Sequence, residues 1–427
     1  MIEHTLLEGG PAQPFPGTEA DLAELRLRSA ELATRLGLAD QPFVIDEAAG
    51  TIAVRGVTGY VALGDSTIEI MPHFLRHDPG WRVSLLTMLT TVQHLEWVPM
   101  VDRGTRHAGL PDLLGMIVAG AMARAASEGV PRTYVERRAV TAGIRGQIDP
   151  AQMWRRVVDP HSVDCRFSEF VADGPITSAL KWACAELSGA VQQPWLESEL
   201  RAYADLFPEA SRDLPPPAVM DALQLTPQFG FLSEALDIAR VLSVGPQNGA
   251  SGRTDGPTRA FLWNTKQLFG DFVQVIAERA ARQAGFSAYR GGRGRRLTDV
   301  DATADVVDTV IESPSELVAA SVCARDYTED LADELAAPLI AAGRTLGASD
   351  VALVFPASMG LRPGTQLRVR EAGGPSMLHL LTVDPSGLGE SGGMERVVRE
   401  FELDLSMVLT IAQRRPVGSR RLGGTVA

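Results

Sequence analysis

Lysine is nearly missing from this chain. Of its 40 lysine and arginine residues, only Lys181 and Lys266 are lysines. None follows position 266, so a catalytic centre in residues 267–427 cannot draw an ammonium group from its own segment. Cysteine is scarce as well: Cys165, Cys184 and Cys323 stand far apart, without metal-ligand spacing. That excludes a disulfide-built scaffold and a thiolate zinc site, and it suits buried thiols in a reducing compartment. No apolar run reads as long enough to span a membrane, and residues 1–10 lack the basic-then-apolar pattern of a secretory signal. A cytoplasmic protein with no membrane partner is expected. A nucleotide loop is also missing. Gly291-Gly292-Arg293-Gly294 has neither the Gly-Lys-Ser/Thr ending nor a strand-to-helix setting, so the chain is not expected to hydrolyse a nucleoside triphosphate itself.

What is present describes an ordinary globular chain. At 427 residues with 45% hydrophobic content it has room for about two to three domains. The formal net charge of -13 rules out passive coating of DNA, so any contact with nucleic acid must be local. Thr18 with Asp21 resembles a capping box, and Leu22, Leu25, Ser29, Leu32 and Leu36 follow at helical spacing. Short β-type runs at 43–46, 51–55, 59–63 and 67–71 are punctuated by glycine. Helical patterns cover 81–98, 113–128, 176–191, 200–207 and 231–244, with a strand at 134–140; Pro194 should lie outside a helix interior. Asp173 reads as the cap of the helix starting near Ile176. Residues 246–257 are small and polar, the best linker candidate. Beyond it, a helix over 259–283, strands at 304–311 and 317–323, a helix over 329–346, strands at 351–355, 367–370 and 378–383, and a helix over 395–413 give a mixed α/β arrangement. The expected division is a β-rich and helical N-terminal domain (1–155), a helical middle region (156–250) and an α/β domain (258–427).

The chemistry concentrates between Arg290 and Tyr327. An aspartate flanked by apolar residues, Asp305, precedes a Ser-Pro-Ser turn and a second apolar run that ends at Cys323-Ala324-Arg325. A metal-dependent nuclease presents its acids on two such strands: one acid on the first, and an acid and a lysine two residues apart on the second. Here the second strand carries Cys323 for the acid and Arg325 for the lysine. A thiol is a soft ligand for a hard ion, and arginine stays protonated and forks where lysine is a point charge. Asp299, Asp301 and Asp326 are alternative acids. Arg290, Arg293, Arg295 and Arg296, spaced by glycines, can approach a phosphate backbone, or form a solvated loop. Arg132, Arg137, Arg138, Arg145, Arg155 and Arg156 make a second basic region, suited to an acidic partner, DNA or plain solvent. His73 and His77 are four apart between two prolines, a poor setting for a metal site.

Four stretches carry a family resemblance. Gly59-Tyr60-Val61-Ala62-Leu63-Gly64 leads to Ile68-Glu69-Ile70-Met71-Pro72, with His73 where the family has lysine. The others are Ile144-Arg145-Gly146-Gln147-Ile148, then Asp173-Gly174-Pro175-Ile176-Thr177 with Ala179-Leu180-Lys181, and then the run from Phe261 to Val273. In this order the chain resembles McrC, the partner subunit of the McrB motor in modification-dependent restriction systems. The resemblance implies an N-terminal region that docks on and stimulates a McrB-like AAA+ NTPase, and a C-terminal PD-(D/E)xK nuclease domain acting on DNA. Carried over, the helix acid falls on Gly270 with Asp271 beside it, the strand acid on Asp305, and the acid–lysine pair on Cys323 and Arg325. The expectation is a degenerate site with no cofactor. The alternative is an active Mg²⁺-dependent endonuclease that recruits Asp299, Asp301, Asp305 or Asp326 with Lys266; Asp305 is then the metal ligand.

Overall fold

The computed structural model describes residues 2–63, 66–92, 108–148, 163–244, 259–290, 306–313, 316–357, 365–368, 375 and 377–413. Strands β1 (Ile2–Leu7) and β2 (Gln13–Pro14) precede helix α1 (Glu19–Arg35). The capping box forms: the Asp21 N–H donates to Thr18 Oγ1 at 3.2 Å and the Thr18 N–H to Asp21 Oδ2 at 2.9 Å. Leu22, Leu25, Ser29 and Leu32 make the buried stripe, as their spacing requires. Strands β3 (Phe43–Asp46), β4 (Thr51–Val54), β5 (Val57–Leu63) and β6 (Ser66–Met71) follow, then helices α2 (Trp81–Val92) and α3 (Leu110–Glu128). Next come β7 (Thr133–Thr141), β8 (Gln147–Ile148) and β9 (Val163–Val171). Helices α4 (Pro175–Ser188), α5 (Pro194–Ala204), α6 (Pro217–Ala222) and α7 (Ser233–Val244) complete the middle of the chain. Proline opens α4, α5 and α6, where its missing N–H costs nothing. The remaining elements are β10 (Arg259–Asn264), α8 (Thr265–Gln283), β11 (Ser287–Arg290), β12 (Thr309–Glu312), β13 (Leu317–Val322), α9 (Glu329–Leu346), β14 (Asp350–Pro356), β15 (Thr365–Arg368), β16 (Met377–Val383) and α10 (Gly393–Gln413).

Mixed α/β is the class, and several boundaries move. Residues 259–264 are a strand rather than the first turns of a helix, because Asn264 caps α8 by accepting the Gln267 N–H. Pro194 opens α5, so that helix begins six residues before the expected 200. The cap of α4 is Gly174, whose N–H donates to Thr177 Oγ1, and not Asp173. By length and composition alone α3 is apolar enough to cross a membrane, which corrects the reading that no run is; its buried Leu113, Leu114, Val118 and Met122 pack it against α4, α5 and α7 as a core helix.

The chain groups into two compact units. One holds Met1–Glu3, Tyr60–Thr67 and His107–Phe261; the other holds His4–Gly59, Ile68–Arg106 and Leu262–Ala427. In the first, α3, α4, α5 and α7 pack around Leu180, Cys184, Leu187 and Leu196, and β7-β9-β8 form a separate antiparallel sheet. The buried Lys181 ammonium donates to the carbonyls of Phe207 and Ala210 at 2.7 and 2.9 Å, tying the turn after α5 to α4.

In the second unit a six-stranded sheet runs in the order β11-β12-β13-β14-β16-β15. The pairs β11–β12 and β12–β13 are antiparallel; β13–β14 and β14–β16 are parallel. Helix α9 supplies the crossover from β13 to β14, and Leu331 and Leu339 join Ala319, Val351, Leu353 and Phe355 in one buried cluster. Every residue of β14 is buried, the mark of a parallel strand covered on both faces. Val310 faces the α9 side, whereas its neighbour Thr309 donates from its hydroxyl to Gln274 of α8 at 2.6 Å, so α8 covers the opposite face. Gly343 lets α9 lie close on the sheet, since a Cβ there would meet Val351 Cγ1 and Pro375.

Replacing Lys181 by alanine leaves two buried carbonyls without a donor. It is expected to destabilise its unit by about 2–3 kcal/mol, read as a lower urea midpoint for that unit's unfolding.

Candidate functional site

The site lies in the second unit, where the start of α8, the end of β11, the start of β12 and the end of β13 meet the sequence-selected residues. Asn264 fixes the start of α8: its Oδ1 accepts the Gln267 N–H at 3.1 Å and its Nδ2 donates to Leu36 O at 3.0 Å. Lys266 follows in the first turn, exposed. Asp308 sits just before β12. Its N–H donates to Ala320 O at 3.0 Å, and its Oδ2 accepts the Val322 N–H at 2.7 Å and the Ser321 hydroxyl at 3.2 Å. The carboxylate therefore clips the residue just before one strand to the last residue of its neighbour. Cys323 follows β13 directly. Its N–H donates to Val354 O at 2.9 Å, and its side chain leans on the apolar cluster beneath α9. Arg325 is exposed beyond it, with its own N–H directed at the Cys323 sulfur. Arg290 ends β11 and forms an ion pair with Asp271 of α8.

These groups feel one another. Packing around its carboxyl pushes Asp308 above the ordinary carboxylate range although the residue as a whole is exposed; the Val322 N–H, the Ser321 hydroxyl and the charges of Lys266 and Arg290 pull the other way. Burial likewise pushes the Cys323 thiol up, against the Arg325 N–H and the positive charges of Arg325 and Lys266, while Asp308 adds to the rise. Cys323 is thus a protonated thiol at neutral pH, not a thiolate.

The structure brings together Asp271, Cys323, Arg325, Lys266 and Arg290. Asp299, Asp301, Asp305, Arg293, Arg295 and Arg296 lie outside the described residues. Asp326 accepts an ion pair from Arg76 at 2.6 Å, which engages that alternative acid. Cys323 and Arg325 lie just past the last paired residue of β13, so strand alternation does not govern them as the sequence suggested. Sequence reading missed Asp308. Counting back from the turn at 313–316 would have found it, since Glu312 pairs with Leu317 and Thr309 with Ala320, placing residue 308 opposite 321. His73 bonds Glu8 at 2.5 Å and His77 accepts from Arg76, and among the described residues no three potential ligands form a metal cluster.

The sign of the Asp308 shift gives a pH test. With the folded carboxyl raised, the folded state binds more protons than the unfolded one between the two pKa values, so ionising Asp308 lowers stability as pH rises through that window. Asp308→Asn keeps an acceptor for Val322 and Ser321 without the charge. It is expected to melt higher than the wild type at neutral pH, with the gain fading as pH falls toward about 4; a variant that melts lower at neutral pH contradicts the assignment.

Comparison with known proteins adds identity to this geometry. No curated protein matches the chain. The profile of the family described as McrBC 5-methylcytosine restriction system component matches residues 52–288, more than half of the sequence. Among solved structures, the chain is similar to one from a refined half-complex of a tetradecameric assembly of Thermococcus gammatolerans McrB AAA+ hexamers with bound McrC. The TM-score is 0.67 at 11% identity, covering 95% of this chain and 100% of that one, which shows a shared fold. A second, from the Thermococcus gammatolerans McrBC complex, has TM-score 0.46 at 14% identity, covering 65% of this chain and 88% of that one. The profile spans β4 to β11, taking in the middle helices, the Lys181 tie and the α8 that carries Lys266 and Asp271. By that match this chain belongs to the family of McrBC 5-methylcytosine restriction system components.

Proposed function

We propose that the chain is the McrC-like subunit of a cytoplasmic DNA restriction system: it docks on and stimulates a McrB-like AAA+ NTPase, and its own nuclease-frame site no longer cuts. The observation that carries the loss of cleavage is the donor set. A Mg²⁺ centre needs converging hard oxygen ligands. Here one carboxylate, Asp308, already spends one oxygen on two donors, and the neighbouring Cys323 is a protonated thiol. Asp271 is held by Arg290. These residues do not fit Mg²⁺, and no hydrolytic step is derived through it.

The docking surface we favour is the exposed sheet β7-β9-β8. Tyr134 and Phe170 stand directly opposite each other with ring centroids 4.8 Å apart, and both are more than half exposed. Along the same face lie Glu136, Arg138 and Arg166. Such a patch, aromatic at one end and charged along its length, has the make-up of an interface centre with a polar rim. Gly146 belongs to the motif Ile144–Ile148. It adopts φ +66°, where a Cβ would run into the Arg166 carbonyl and Phe167, so glycine is required for the turn that lays β8 against β9.

The second reading, a Mg²⁺ endonuclease with a recruited lysine, draws on the charge of Lys266 reaching Asp308 and Cys323. Incubation with the AAA+ partner, Mg²⁺ and 5-methylcytosine-containing DNA separates the two. The first reading expects stimulated nucleotide hydrolysis and intact DNA; cuts that vanish in Asp308→Ala support the second. Tyr134→Ala with Phe170→Ala is expected to lower the stimulation about tenfold or more, as loss of a hot-spot pair does, without changing the melting temperature.

A further inference from the structure

Strand β7 is an open edge. It ends the sheet β7-β9-β8, and among the described residues no strand lies along its other side. It pairs with β9 without a bulge, from Thr133 opposite Val171 to Thr141 opposite Val163. On the free side, every second residue turns its backbone N–H and C=O outward, a template for a further strand. Proteins usually blunt such an edge by shortness, proline, a bulge or lysine. β7 is nine residues long and has none of these devices.

The order of its side chains is self-complementary. The exposed face reads Tyr134, Glu136, Arg138, Val140, with both apolar members more than half exposed. Turned end for end about Arg137, a second β7 sets Glu136 opposite Arg138 and Tyr134 opposite Val140, each twice over. Opposite charges and aromatic–β-branched residues are the pairs that stabilise neighbouring antiparallel strands. On the other face Thr133 meets Thr141, and Val135 meets Ala139. The match holds whichever alternate residues turn their backbone outward, because the axis passes through a residue. Only Arg137 meets its own copy, and Glu169 and Glu209 already face it at 3.1 and 3.8 Å. Arg138 lies opposite Arg166 in the ladder with β9, a like-charge pair. Within one chain Glu136 reaches Arg166 at 3.3 Å. Glu136 from a second copy would bring the two arginines another carboxylate.

We propose that β7 pairs antiparallel with β7 of a second copy of this chain, joining two three-stranded sheets into one continuous sheet. Such a contact is isologous: the same patch serves both copies, so it must complement itself. A ribbon of this length lies at the small end of protein interfaces, so the dimer is weak and concentration-dependent. Pairing edge to edge leaves the Tyr134–Phe170 face open. The inference stands apart from partner docking and from any action on DNA.

The test is sedimentation equilibrium of the full chain alone, over a concentration series at low salt. The wild type is expected to dimerise reversibly. Glu136→Arg sets arginine against arginine across the axis, and Arg138→Glu sets glutamate against glutamate. Each is expected to weaken the dimer about tenfold or more. Mixed in equal amounts, the two single variants are expected to associate again, since every facing pair is then opposite in charge. The double variant Glu136→Arg, Arg138→Glu is expected to dimerise as the wild type does. Association recovered in these two ways separates a lost contact from a lost fold. A wild-type chain that stays monomeric at every concentration would overturn the proposal. So would a dimer that both single variants leave unchanged, or single variants that stay apart on mixing. Each of those results leaves the restriction-system reading standing.

Discussion

The hold of the Asp308 carboxylate on the end of β13 constrains everything around it. One oxygen accepts the Val322 N–H and the Ser321 hydroxyl, so the start of β12 and the end of β13 are tied by a side chain as well as by the ladder. A carboxylate used in this way is a strand clip. Its lone pairs on that oxygen face donors inside the sheet edge, and burial disfavours its charge. A metal site asks the opposite: several charged oxygens turned outward on one cation. The two uses compete for the same group, and the neighbouring Cys323 is turned toward the apolar cluster under α9. Among the described residues, Lys266 and Arg325 are exposed beside it.

The same sheet carries the stability of this unit away from the strand ends. Stability in this unit comes from β14, buried along its whole length, and from the helices on its two faces. The side chain at 325 takes no part in this, and that at 323 only leans on the edge of the cluster. Exchange of an acid for a thiol beside an apolar cluster removes a desolvated charge, which by itself is no burden on the fold. The fold therefore does not require an acid at position 323.

Much of this was legible in the sequence, and the limits have physical causes. The capping box at Thr18 and the stripe of α1 depend on local spacing; the box appears as read, and so does the stripe through Leu32, with Leu36 falling at the half-buried C-cap. The α9 crossover and the fully buried β14 follow from periodicity and a continuous apolar run. The start of α8 was misplaced because Phe261, Leu262 and Trp263 are all buried, and a run buried on every side fits strand and helix equally. Asp305 was chosen from its apolar neighbours, whereas Asp308 is picked out by pairing register, which is a property of two strands and not of one. The grouping of His4–Gly59 with Leu262–Ala427 in one unit is a long-range arrangement that no local pattern announces.

The most direct measurement is a titration of Mn²⁺, as a Mg²⁺ surrogate, into the purified full chain, with free ion followed by electron paramagnetic resonance. The account predicts that the Mn²⁺ signal tracks total added ion, with no tight stoichiometric site. One tightly held ion per chain that disappears in Asp308→Ala would contradict it.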